Sequence, residues 1–94
     1  MEFYQRSLDA FIEAYGRFDI TIDHGKGVYL YDINDKKYLD FYSGIGVNAL
    51  GHDHPEYTEA LCKQIHRVLH VSNYFNTVEA IKAAELVNKA TGLS

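Results

Sequence analysis

"FDITIDHGKGVYLYDINDKKYLDF", Phe18 to Phe41, reads as three short strands and two turns. "FDITID", Phe18 to Asp23, alternates apolar and polar residues as a strand does. "HGKG" follows as a turn, with two glycines available for positive φ. "VYLYDI" is a second strand, with Val28 and Leu30 on one face and Tyr29 and Tyr31 on the other. "NDKK" turns the chain again, and "YLDF" is the third strand. The expectation is a three-stranded antiparallel meander joined by tight turns. So small a sheet has to cover one face with something else.

Working outward, residues 3–15 read as a helix. Phe3, Leu8, Phe11, Ile12 and Tyr15 recur at helical spacing, and Gly16 is a natural stop. On the other side, "SGIGVNALGHDHP", Ser43 to Pro55, fits neither period. Pro55 then opens a helix, where its missing N–H costs nothing. Asp53 or His54 is the cap, and Asp53 with Glu56 has capping-box spacing. Tyr57, Leu61, Ile65, Val68 and Leu69 form an apolar stripe that runs to about His70. After the loop "VSNYFN", a last helix begins near Asn76 or Thr77, with Asn76 and Glu79 at capping-box spacing. Val78, Ile81, Ala84 and Val87, with Leu86 beside them, are expected on its buried side, and Gly92 ends it. The chain stops at "LS" without a polar tail, which reads as the interruption of a longer protein.

Ninety-four residues allow one small domain, and 47% hydrophobic with 23% charged residues argues against disorder. A net charge of -4 with scattered basic residues disfavours nucleic-acid binding. Cys62 is the lone cysteine, so no internal disulfide forms and a reducing compartment is expected. The opening residues are polar and acidic, unlike a secretory signal, and no apolar run reaches the ~20 residues of a membrane span. A soluble, cytoplasmic protein is the reading, with neither nucleic acid nor membrane as partner. Eight tyrosines and five phenylalanines supply large half-polar surfaces, suited to strands or to contacts.

The isolated motifs carry little chemistry. His52 and His54 flank Asp53, but they lack the spacing and the further ligands of a zinc site, so no metal is expected. "GKG" sits in a hairpin turn, and "SGIG" lacks the third glycine of a dinucleotide fingerprint. The glycines there serve sharp bends and close backbone approach. Ser43 lacks the setting of a hydrolase elbow. Cys62 and His66, four apart on one helix face, have the spacing of a nucleophile and base, or of an exposed pair without a role.

Taken together, "GKGVYLYDINDKKYLDFYSGIGVNALGHDHPEYTEAL" (Gly25–Leu61) and "LHVSNYF" (Leu69–Phe75) resemble the N-terminal segment of class III aminotransferases. Within that class they are most similar to the acetylornithine aminotransferases. Gly46 stands where that pattern usually has alanine. Asn34-Asp35 replaces a usual Asp-Gly, which leaves the turn type open.

The resemblance implies an α+β fragment of a fold-type I aminotransferase, part of its small domain: an N-terminal helix, the meander, then two helices. Residues 1–94 would be a single N-terminal fragment: a helical arm at 1–16, the antiparallel sheet at 17–42, a glycine-rich active-site wall at 43–54 and two helices at 55–94. The implied activity is amino transfer between N-acetylornithine and 2-oxoglutarate in arginine biosynthesis, by a pyridoxal-phosphate-dependent homodimer. Ile45 would border the substrate side chain and Tyr15 face the substrate entrance. In the family the aldimine lysine, the phosphate loop, the aspartate for the pyridine nitrogen and the arginine for the α-carboxylate lie downstream. No catalytic or cofactor-binding residue is therefore expected here, and the chain alone is expected to be inactive. Lys26, Lys36 and Lys37 read as turn residues, and Lys63, Lys82 and Lys89 as helix residues. Two other readings stay open: a class III enzyme acting on ornithine, succinylornithine or 4-aminobutyrate, and a stand-alone assembly module without catalysis.

Overall fold

The computed structural model describes residues 2–93. Its elements are α1 (Glu2–Ala10), β1 (Ile22–Lys26), β2 (Tyr29–Asp32), β3 (Lys37–Leu39), the single turn α2 (Ser43–Gly46), α3 (Pro55–Ile65) and α4 (Val78–Thr91). The chain divides into two compact units, parting between Ala60 and Leu61.

In the first unit the three strands pair antiparallel in the order β1-β2-β3, as the alternation predicts. The bounds differ at β1. Lys26 pairs with Tyr29, so the turn is the two residues Gly27 and Val28, and His24, Gly25 and Lys26 belong to the strand. Gly27, at φ 57, supplies the positive φ that a two-residue hairpin turn needs. Lys37 likewise lies in β3 rather than in a turn. The ladder slips between Ile22 and His24, a bulge at Asp23. Phe18 to Thr21 lie before the strand, although the Ile33 amide still donates to the Thr21 carbonyl at 3.0 Å.

The second turn is organised by Asp32, which is buried. Its Oδ1 accepts from the Asn34 amide (2.8 Å) and the Lys36 amide (3.0 Å), and its Oδ2 accepts from the Tyr38 hydroxyl (2.8 Å). Asp35 takes φ 60 where a glycine is commonly found, a setting that aspartate tolerates. Burial pushes the Asp32 carboxyl up. The Lys36 amide, the Tyr38 hydroxyl and the Asn34 amide outweigh it and hold the pKa below the ordinary 3.8. Since the folded value is the lower one, this carboxylate stabilises the turn above the ordinary value. The contribution fades as pH falls through the folded value. In an NMR titration the Asn34 and Lys36 amide protons are expected to move together, with a midpoint below 3.8. A midpoint at or above 3.8 would contradict the assigned bonds.

Helix α1 stops at Ala10, five residues short of the predicted Tyr15. The Ala14 amide turns back to the Ile12 carbonyl at 2.8 Å, and the Arg17 guanidinium lies over both the Phe11 ring (4.5 Å) and the Tyr15 ring (4.7 Å). Each such contact is worth about 0.5–1 kcal/mol at an exposed site, and together they favour a folded-back segment over another helical turn.

Helix α3 ends at Ile65 rather than near His70. In the second unit the Gln64 carbonyl takes both the Arg67 and Val68 amides, and the Gln64 side chain donates to the Val68 carbonyl at 3.1 Å, which closes the helix. Helix α4 is capped by Thr77, whose Oγ1 accepts from the Ala80 amide at 3.2 Å. It ends at Gly92 in the left-handed region, φ 69. Asn76 is therefore not its cap.

The expected buried faces are not buried. Val78, Ile81, Leu86 and Val87 of α4 are exposed, as are Tyr57, Leu61 and Ile65 of α3. Among the described residues no hydrophobic side chain is buried. No helix is long and apolar enough to cross a membrane.

Candidate functional site

The glycine-rich stretch after β3 is built around Asp40. Its amide donates to the Val28 carbonyl at 2.8 Å, which extends the sheet by one residue. Its Oδ1 then accepts the Tyr42 amide (3.0 Å) and the Ser43 amide (2.9 Å). Consecutive amides that converge on one oxygen form an anion-binding concavity, and here the chain's own carboxylate fills it. Oδ2 meets Nε2 of His52 at 2.7 Å. The His52 contact, followed by the Ser43 amide, holds the Asp40 pKa below the ordinary 3.8. The pair is sheltered, with the Asp40 side chain 7% and the His52 side chain 21% exposed.

Beyond this anchor the chain makes a left-handed turn. Ser43, Gly44, Ile45 and Gly46 have φ of 49, 62, 64 and 77. Left-handed backbone costs an L-residue roughly 1–2 kcal/mol, and a β-branched residue is an outlier there. Ile45 nevertheless occupies it, at φ 64 and ψ 51. The Gly46 amide bonds the Tyr42 carbonyl (3.0 Å), the Asn48 amide bonds the Ser43 carbonyl (2.8 Å), and the Val47 amide bonds the same carbonyl. Strain of this kind persists only where its surroundings over-determine it.

The far end of the stretch is strapped onto the first hairpin. Gly27 and His52 exchange two amide-to-carbonyl bonds, each 2.8 Å. Two glycines make that approach possible. A Cβ on Gly25 would sit 2.6 Å from Cγ of His52, and one on Gly51 would sit 2.7 Å from the Gly27 carbonyl oxygen. Lys26 Nζ adds an ion pair to Asp53 Oδ2 at 3.2 Å, which lowers the Asp53 pKa. His54 is the α3 cap: its Nδ1 accepts the Tyr57 amide at 3.3 Å, and its carbonyl accepts the Thr58 amide at 2.8 Å. The two histidines and Asp53 thus have separate structural tasks. Among the described residues no three His, Cys, Asp or Glu side chains converge as a metal set. Cys62 is exposed on α3, and His66 lies past the end of that helix, so the two do not share a helix face.

Ile45 projects from the turn, 85% exposed. Tyr15 is 69% exposed and lines a cavity of about 370 Å³ with Tyr4, Leu8, Phe11, Glu13 and Arg17, whose wall does not include Ile45. A larger open cleft of about 800 Å³ has a mostly apolar wall from Phe18, Ile22, Leu30, Leu39, Phe41 and Tyr42. Neither cavity brings Tyr15 and Ile45 together. All six lysines are exposed: Lys26 is paired with Asp53, and Lys36 and Lys37 lie over the Tyr38 and Tyr29 rings. A Schiff-base amine needs a desolvating site, so these lysines do not fit an aldehyde cofactor.

Asp40 and His52 organise the site, and sequence reasoning missed both as a pair. A signal existed: an aspartate three residues before a Ser-Gly step, Asp40 before Ser43-Gly44, has the spacing of a side-chain-closed turn.

The sequence profile of the family described as aminotransferase class-III matches residues 11–94. An acetylornithine aminotransferase of Methanocaldococcus jannaschii is 45% identical over 82 residues, which are 87% of this chain and 21% of that protein. The chain therefore spans about a fifth of the length of such relatives. The crystal structure of acetylornithine aminotransferase from Elizabethkingia anophelis superposes with a TM-score of 0.91 at 26% identity, covering 98% of this chain and 24% of the other. The ornithine aminotransferase of Toxoplasma gondii, whose active site holds pyridoxal phosphate at partial occupancy, superposes at 0.89 with 27% identity over 97% of this chain and 21% of that one. The chain belongs to the class III aminotransferases.

Proposed function

We propose that the chain is the N-terminal part of an acetylornithine aminotransferase, a cytoplasmic homodimer that moves an amino group between N-acetylornithine and 2-oxoglutarate. The observation that carries this is the 45% identity over 87% of the chain to a protein of that activity. Class III aminotransferases depend on pyridoxal phosphate, which supplies the electron sink when bound. This chain's residues supply shape. The Asp40-anchored turn presents Ile45 toward the substrate side chain, and the arm presents Tyr15 toward the entrance. A second reading, an ornithine donor, is favoured by the match to the Toxoplasma enzyme.

The test is an assay of the complete polypeptide encoded with this segment, loaded with cofactor. N-acetylornithine is expected to be the best donor, ahead of ornithine and 4-aminobutyrate. The 94-residue chain alone is expected to turn over none of them. A clear preference for ornithine would select the second reading, and inactivity toward all three would reject both.

If Ile45 and Tyr15 border the substrate, their loss alters choice more than chemistry. Removing apolar contact at a pocket wall is worth about 1–3 kcal/mol in discrimination. Ile45→Ala and Tyr15→Phe are expected to change the ratio of kcat/KM between acetylornithine and ornithine, Ile45→Ala by tenfold or more. Equal losses for both donors would remove these residues from the wall.

A further inference from the structure

The carboxylate of Asp40 and the imidazole of His52, 2.7 Å apart and sheltered, close a stretch whose ends lie twelve positions apart and which contains a strained isoleucine. We propose that Asp40 is a positioning residue: seated on the Tyr42 and Ser43 amides and clamped by His52, it holds Ile45 in its left-handed setting and thereby sets the discrimination between amine donors. The inference rests on the proposed function and deepens it.

Three observations converge on Asp40. Its Oδ1 takes the two amides that lead into the left-handed turn, so the first residue of that turn is oriented by this oxygen. Its Oδ2 is held by a ring whose own backbone is bonded twice to Gly27, so the carboxylate cannot swing away without moving a second anchor. Ile45 itself is 85% exposed, so its backbone conformation is not imposed by packing of its side chain within the chain. Within this chain no side-chain packing over-determines φ 64 at a β-branched residue, and the bonds around the turn do so. Loss of the anchor lets Ile45 relax toward the ordinary right-handed or extended regions, which swings its side chain away from the wall position. That movement changes which donor side chain fits, rather than the chemistry of the amino group.

The experiment uses the complete cofactor-loaded enzyme with Asp40→Ala, Asp40→Asn and His52→Ala. Two readouts are taken: amide hydrogen exchange at Tyr42 and Ser43, and kcat/KM for N-acetylornithine against ornithine. In Asp40→Ala, exchange at both amides is expected to rise tenfold or more, and the donor ratio to fall by about tenfold. The loss should show more in KM than in kcat. Asp40→Asn keeps an oxygen for the two amides and is expected to recover most of both. His52→Ala keeps Asp40 and the backbone strap, and is expected to move both readouts the same way by a smaller factor. It decides the matter should Asp40→Ala fail to fold. An unchanged donor ratio alongside faster exchange would overturn the positioning role, as would a kcat loss equal for both donors. Failure of Asp40→Asn to recover the ratio would also count against it. A wild-type enzyme inactive on both donors would reject the proposed function, and with it the donor role; the exchange data would still judge the anchor.

Discussion

The 94-residue chain on its own is expected to sediment as a dimer or larger species at micromolar concentration. A folded monomer of 10.7 kDa should expose about 5,500 Å² by the usual scaling of surface with mass. The chain exposes 8692 Å². The excess, about 3,200 Å², is some four times the ~800 Å² that one partner contributes to a stable protein–protein interface. Among the described residues no hydrophobic side chain is buried, and Ile45, Val47 and Leu50 in the first unit and Tyr74 and Phe75 in the second are all exposed. Soluble monomers rarely leave contiguous apolar patches above a few hundred Å² uncovered.

A symmetric dimer is the simplest closed outcome, because one self-complementary patch then covers two surfaces without leaving an open end. The competing outcome is local collapse, with the glycine-rich stretch folding over apolar neighbours at the expense of the Asp40 anchor. Sedimentation velocity over a concentration series separates the two. Concentration-dependent growth beyond 10.7 kDa supports association. A strict monomer at high micromolar concentration, with Ile45, Val47, Leu50, Tyr74 and Phe75 solvent-exposed, would contradict it.

How far the residues announce their own structure depends on the range of the interaction that places them. Thr77 and Gly92 bound α4 through contacts three or four residues long, and local reasoning locates that helix within a residue or two. The two hairpins follow from alternation and from turn residues at short range. Gly25 defeats local reasoning. It looks like half of a glycine turn, yet it is a strand residue, left without a side chain because the His52 ring, 27 positions away, lies against it. Ile45 defeats it more completely, since β-branched residues argue against the conformation it adopts. The stripes on α3 and α4 were legible as stripes. Their period says that a face is apolar; it does not say that the covering surface lies within these residues, and it does not.

Gly51→Ala is expected to open the strap between the glycine-rich stretch and the first hairpin. Two effects combine. Gly51 has φ 78, which costs an alanine roughly 1–2 kcal/mol. The added Cβ would also stand 2.7 Å from the Gly27 carbonyl oxygen, a backbone atom that cannot rotate aside, and that oxygen accepts one of the two 2.8 Å bonds between Gly27 and His52. Each bond is worth about 1 kcal/mol net, so the local opening free energy should fall by about 3 kcal/mol in all. At 1.4 kcal/mol per decade that is roughly a hundredfold faster hydrogen exchange at the Gly27 and His52 amides. Other glycines separate the two effects. Gly46 has φ 77 but nothing within 4 Å of a Cβ, so Gly46→Ala should cost only the conformational part, read at the Asn48 amide. Gly16→Ala meets neither obstacle and should be nearly silent. Gly25→Ala meets Cγ of His52 at 2.6 Å and its Cβ at 2.7 Å, and because that Cβ is fixed by the His52 backbone, both the Asp40 contact and the strap should be disturbed. Faster exchange at both Ser43 and His52 in Gly25→Ala is therefore expected. Unaltered exchange at Gly27 and His52 in Gly51→Ala would show that the close approach at Gly27 is not what holds the stretch in place.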